Sequence, residues 1–84
     1  MKIKEGFITR KVAGETLVVS VDEKRNYVIG LNSSAELLWR ALEKGCDEAS
    51  LVRLLCDTYC ISEERARQDV CRVLDILREK DILE

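Results

Sequence analysis

The sequence predicts an α+β domain, winged helix-turn-helix-like, with a three-stranded antiparallel sheet followed by three helices. Three observations carry this. Residues 7–32 hold three short runs rich in β-branched and aromatic residues, separated by polar or glycine-bearing breaks. From Ser33 onward the apolar residues recur at spacings of three and four, the helical period. The breaks between the runs are short, which pairs neighbouring strands as an antiparallel meander.

Each element follows in order. Phe7-Ile8-Thr9-Arg10-Lys11-Val12 reads as a half-exposed first strand, and Ala13-Gly14 as its turn. Glu15-Thr16-Leu17-Val18-Val19-Ser20-Val21 is the strongest strand, with Leu17, Val19 and Val21 on one face. Thr16, Val18 and Ser20 fall on the other, more polar face. Asp22-Glu23-Lys24-Arg25-Asn26 is wholly polar and reads as the second hairpin loop. The third strand runs from Tyr27, with Tyr27, Ile29 and Leu31 on one face and Val28, Gly30 and Asn32 on the other. In a meander the first and third strands are edges. The first carries Arg10 and Lys11, whereas the third is uncharged from Tyr27 to Asn32 and includes Gly30, so it is the edge that invites a partner.

The helical half starts at a capping signal. Ser33 with Glu36 fits a capping box, with Asn32 and Ser34 as alternative caps. Ala35, Leu38, Trp39 and Leu42 follow at helical spacing, and Gly45 stops the helix. Trp39 is read as a core anchor. Asp47 caps a second helix with Leu51, Leu54 and Leu55 on its apolar face. Ser62 caps a third, whose stripe is Ala66, Val70, Val73, Leu74 and Leu77, and Ile82-Leu83 pack back onto the core.

Composition sets the bounds. The 84 residues read as one domain, residues 1–84, with an apolar share of 46 % that argues against disorder. No signal-peptide pattern and no apolar run of membrane-spanning length occurs, which predicts a cytoplasmic protein without a membrane partner. The net charge of −2 disfavours nucleic acid. Cys46, Cys56, Cys60 and Cys71 form no Cys-x-x-Cys pair, and histidine is absent, so the cysteines read as small reduced hydrophobes and not as metal ligands. Without histidine, metal-ligand spacing or a glycine-rich phosphate loop, no catalytic constellation is visible. The expectation is a non-enzyme with no cofactor.

The segment Leu31-Asn32-Ser33-Ser34-Ala35, with Trp39 and Gly45 beyond it, resembles the Leu-Asn-x-Thr-Ala…Ile-Trp…Gly signature of the PqqD-like family. These are the coenzyme PQQ synthesis protein D relatives, or RiPP recognition elements. Glu64, Ala66, Asp69, Val70, Leu74 and Leu77 extend the resemblance through the third helix. The sequence departs from the pattern at Ser34 for threonine, at Cys46, and at Asp81, where a glycine often stands. The resemblance implies a peptide chaperone. It would bind the leader of a ribosomally made precursor peptide as an added strand beside the third strand, and present it to a radical SAM or other peptide-modifying enzyme.

The expected docking residues on the strand are Tyr27, Val28, Ile29, Gly30 and Leu31. On the third helix Arg67, Cys71, Leu74 and Arg78 share one stripe, with the arginines facing acidic leader residues and Cys71 and Leu74 seating an apolar anchor. Two other readings stand beside this one. One is a winged-helix DNA-binding regulator, disfavoured by Glu63, Glu64, Asp69, Asp75 and Glu79 on the third helix. The other is a homodimerisation module in which the free edge pairs with itself.

Overall fold

A computed structural model of the chain describes residues 1–21 and 28–84, with the backbone alone for Val28. The second hairpin loop read over Asp22–Asn26, and Tyr27 with it, lies outside the described residues. Three strands, β1 (Phe7–Val12), β2 (Glu15–Ser20) and β3 (Val28–Leu31), precede three helices, α1 (Ser33–Lys44), α2 (Glu48–Tyr59) and α3 (Glu63–Glu79). The sheet order is β1-β2-β3, antiparallel throughout.

The β1–β2 connection is a two-residue turn with positive φ at both Ala13 (52°) and Gly14 (83°), the type I′ geometry that matches strand twist. On β2 it is the more polar face that meets the helices: Val18 and Thr16 are buried, whereas Val21 is exposed. The register explains this choice. Val18 pairs with Ile29 and Thr16 with Leu31, so the face of β2 that turns inward is the one sharing a side with Ile29 and Leu31, the β3 residues packed against the core. Thr16 is tolerated there because its hydroxyl donates to Glu36 Oε2 at 2.9 Å.

All three helices have side-chain caps. Asn32 caps α1, its side chain accepting from the Ala35 amide at 2.9 Å, so Ser33 is the first helical residue and not the cap. Glu36 consequently closes no capping box; it accepts from Thr16 and faces Arg40 at 3.6 Å. Asp47 and Ser62 cap α2 and α3 as the sequence indicates. Hydrogen bonds from Ser50, through its side chain and then its backbone, hold the Asp47 carboxyl below its ordinary pKa. Gly45 ends α1 at φ 89°. Asp81, standing where the family resemblance leads one to expect glycine, adopts φ 59°, the left-handed turn that glycine favours and aspartate tolerates.

One apolar cluster joins the layers. Leu38, Trp39 and Leu42 of α1, Leu51, Val52 and Leu55 of α2, and Ala66, Val70, Leu74 and Leu77 of α3 are its buried helical members. Trp39 is a core residue, 1 % exposed, as its place in the helical pattern implies. Ile82 and Leu83 pack into the same cluster, and the two ends of the chain pair. Ile3 bridges Leu83, the Lys4 amide donates to the Ile82 carbonyl at 2.8 Å, and the Glu84 amide donates to the Lys2 carbonyl at 2.9 Å. No described helix is long and apolar enough to cross a membrane.

Candidate functional site

The direction of every backbone group in the sheet follows from the β1–β2 turn. A two-residue turn closes on a hydrogen-bonded pair, here Val12–Glu15, and such pairs then alternate along the ladder. The Val21 amide donating to the Gly6 carbonyl at 2.8 Å fixes the same phase from the far end. Glu15, Leu17 and Val19 therefore address β1, and Thr16 and Val18 address β3. Their partners Leu31 and Ile29 turn their N–H and C=O groups inward to β2. Gly30 and Val28, between them in the alternation, turn theirs outward. No described strand pairs with that side.

The outward edge of β3 borders a cleft of about 290 Å³ against α3 and the start of α1. Ile29 and Leu31 supply its strand wall, Val73, Ile76 and Leu77 the apolar part of its helix wall, and Ser34 and Ala35 its end. Ile76 is 40 % exposed, a large aliphatic side chain left open beside an unpaired edge. The helix wall also carries a charged trio. Asp69 sits between Arg65 at 3.5 Å and Arg72 at 3.8 Å, with the aspartate largely covered and both arginines exposed. An added strand would find main-chain donors and acceptors on one side and an apolar wall with two arginines on the other.

The helix residues expected to face this cleft are not those that do. Arg67 lines a different hollow, about 500 Å³ between α2 and α3, with Glu48, Val52, Arg53, Cys56 and Glu63, and it pairs with Glu63 at 2.7 Å. Cys71 also faces α2, donating to Glu48 Oε1 at 3.5 Å. That hydrogen bond, then burial and the nearby Glu48 and Asp75 charges, push the thiol above its ordinary pKa, against a lowering by Arg67. Leu74 is buried in the core, and Arg78 reaches toward Asp75 and the Met1 sulfur. The Arg67–Cys71–Leu74–Arg78 stripe thus lies on the α2 side of the core stripe. Arg65, Asp69, Arg72, Val73 and Ile76 lie on the β3 side.

Of the strand residues named from the sequence, Val28, Ile29, Gly30 and Leu31 are brought together at the edge; Tyr27 lies outside the described residues. None of the six α3 residues that line the cleft (Arg65, Asp69, Arg72, Val73, Ile76 and Leu77) was named as a docking residue from the sequence, although Ile76 gave a signal. It is the one aliphatic residue of α3 that the predicted core stripe leaves out.

The larger α2–α3 hollow mixes two carboxylates with two arginines and offers no strand edge, so it lacks what an extended chain needs. The four cysteines are free thiols. No group of three or more His, Cys, Asp or Glu side chains among the described residues is placed to hold a metal. Each arginine named on α3 has a carboxylate within 4 Å on the same helix, and acidic residues outnumber arginines along it, a poor match to a DNA phosphate backbone.

Comparison with known proteins agrees with this architecture. No curated protein sequence matches significantly. Among solved structures, TbiB1 in complex with the TbiA(beta) leader peptide superposes with a TM-score of 0.84 at 23 % identity, covering 100 % of this chain and 95 % of that one. Lasso peptide synthetase B1 complexed with the leader peptide gives 0.80 at 16 % identity, covering 96 % and 93 %. At such identities the likeness shows a shared fold. The sequence itself matches the family described as coenzyme PQQ synthesis protein D (PqqD) over residues 18–83, from β2 to the terminal aliphatic pair. The chain belongs to the PqqD family.

Proposed function

We propose that this protein is a non-catalytic peptide-binding partner in peptide modification. It takes the leader of a ribosomally made precursor as a fourth strand along β3 and presents it to a modifying enzyme, such as a radical SAM maturase. The observation that carries this reading is the outward-facing backbone of Val28 and Gly30 beside the open cleft against α3. Strand addition draws its affinity from main-chain hydrogen bonds and its selectivity from the pockets that alternate side chains enter. Membership of the PqqD family and the two leader-peptide complexes with this fold support it.

The cleft indicates what the leader presents. Peptide residues opposite Ile29 turn toward the helices, where Val73 and Ile76 favour an aliphatic or aromatic side chain. Arg65 and Arg72 at the rim favour a neighbouring carboxylate, which would share them with Asp69. Being exposed, such pairs contribute only ~0.2–1 kcal/mol each and select more than they hold. Ordering a flexible leader costs about 2–5 kcal/mol, which suits a reversible complex that hands its peptide on.

The test uses 12-residue peptides selected from an mRNA-displayed random library on the immobilised protein. Amide exchange followed by NMR should show the Val28 and Gly30 N–H groups becoming protected when a selected peptide is added. Ile29 and Leu31, already bonded to β2, should change little. Protection confined to the α2–α3 hollow, or none at the edge, would refute strand addition.

A further inference from the structure

Nothing among the described residues accounts for a glycine at position 30. Gly6, Gly14 and Gly45 each adopt positive φ, which favours glycine, but Gly30 does not. Among the described residues, a Cβ placed on it would meet only the Leu17 side chain, at 3.9 Å, an ordinary van der Waals contact. Glycine inside a strand weakens it through backbone entropy and often marks a close approach by another chain. Its position says which approach. Gly30 pairs with Leu17, on the sheet face turned away from the helices, and its own backbone groups point to the free edge.

We propose that Gly30 is the floor of a side-chain notch on this outer face, filled by a bulky apolar side chain, aromatic above all, from the docked leader. The proposal rests on the strand addition argued above and adds a second, opposite-facing subsite to it. A peptide residue opposite Gly30 shares its face, since paired residues on neighbouring strands point to the same side. That residue stands two strand spacings, ~10 Å, from Leu17. With a side chain at position 30 the interval would be occupied. With glycine, an aromatic ring lies flat across the bare backbone and reaches Leu17, as aromatic residues do beside edge glycines in sheets. Alanine or serine is too short to span it. Half-buried Val19 and exposed Ile8, one row along, extend the apolar ground around the notch. The leader is then read on both faces: alternate residues enter the cleft against Val73 and Ile76, and one between them covers Gly30.

The experiment compares the wild-type protein with Gly30→Val, using peptides selected from the same displayed library. Wild-type selection should enrich Phe, Tyr or Trp at one position flanked on each side by cleft-facing apolar residues. Gly30→Val should bind such a peptide at least tenfold more weakly, and selection on it should lose the aromatic while keeping the flanking preferences. Replacing the peptide aromatic by alanine should cost the wild-type protein at least tenfold but cost Gly30→Val little, so the two losses are coupled. If they simply add, or if the aromatic preference persists on Gly30→Val, the notch is wrong. Edge amides that still become protected in that case leave strand addition standing. If they are not protected, both ideas fall. Thermal melts by circular dichroism check folding, and Gly30→Ala, with an intermediate loss expected, carries the same comparison should Gly30→Val not fold.

Discussion

Proline at neighbouring positions of β3 should separate binding from folding, because the backbone alternates in direction there. Gly30→Pro removes an N–H that points to the free edge and takes nothing from the β2 ladder. An antiparallel leader strand would use four backbone groups, the N–H and C=O of Val28 and Gly30, and the substitution deletes one. A peptide carbonyl left without its donor in a closed interface costs ~1–3 kcal/mol, or about 5- to 150-fold in Kd. The pyrrolidine ring also stands where the incoming strand must lie, which moves the expectation to the upper end. Ile29→Pro instead removes a donor to β2 and disturbs a side chain packed on the core. The same ~1–3 kcal/mol then falls on folding, lowering Tm by roughly 5–20 °C in a domain of this size. Titration calorimetry with a selected peptide and thermal melts of both variants give the comparison. Gly30→Pro binding within twofold of wild type, or Ile29→Pro as stable as Gly30→Pro, would show that the assigned phase is reversed and the reasoning unsound.

Other expectations concern the helices. Arg72→Glu should weaken binding of a peptide carrying a cleft-side carboxylate several-fold, whereas Arg67→Glu, on the α2 face, should leave it unchanged; equal effects would undo the assignment of the two faces. Trp39 is buried, and its indole Nε1 has no hydrogen-bond partner among the described residues. Trp39→Ala should cost about 3–5 kcal/mol in urea unfolding. Trp39→Phe should cost much less, since it also removes a buried donor whose desolvation is worth ~1–3 kcal/mol. The Cys71 thiol, held protonated chiefly by its hydrogen bond to Glu48, should react with iodoacetamide more slowly at pH 8 than the exposed Cys60. Glu48→Gln should bring its pKa down and speed it; an unchanged rate would mean the contact does not form in solution.

Most of the fold was legible because its signals are local. Asp47, Ser62 and Gly45 announce helix ends through cap chemistry that needs no tertiary partner. Ala66, Val70, Leu74 and Leu77 repeat at the helical period and are all buried. What failed depended on which neighbour lies on which side. Leu17 and Val19 are no less apolar than Thr16 and Val18, and only the pairing with Ile29 and Leu31 turns the latter pair inward. The stripe of Arg67 and Cys71 and the stripe of Arg65, Asp69 and Arg72 flank the same core residues symmetrically in sequence. The topology alone puts one against α2 and the other against β3. The choice of Asn32 over Ser33 and Ser34, all three open as caps from the sequence, has the same origin. Glu36, which would have completed the capping box, is held by Thr16, twenty residues away.

The pairing of the two chain ends has a consequence for how the molecule can be rewired. Glu84 and Lys2 are hydrogen-bonded neighbours, and Ile3 and Leu83 face each other, so a linker of a few glycines would join the ends without bending either. The exposed Ala13–Gly14 turn then offers a place to open the ring. A chain permuted in this way would begin at β2 and finish with β1. The edge of β3 and the face of α3 would stay continuous in sequence, and a tag or partner could be attached at the far margin of the sheet, away from the cleft.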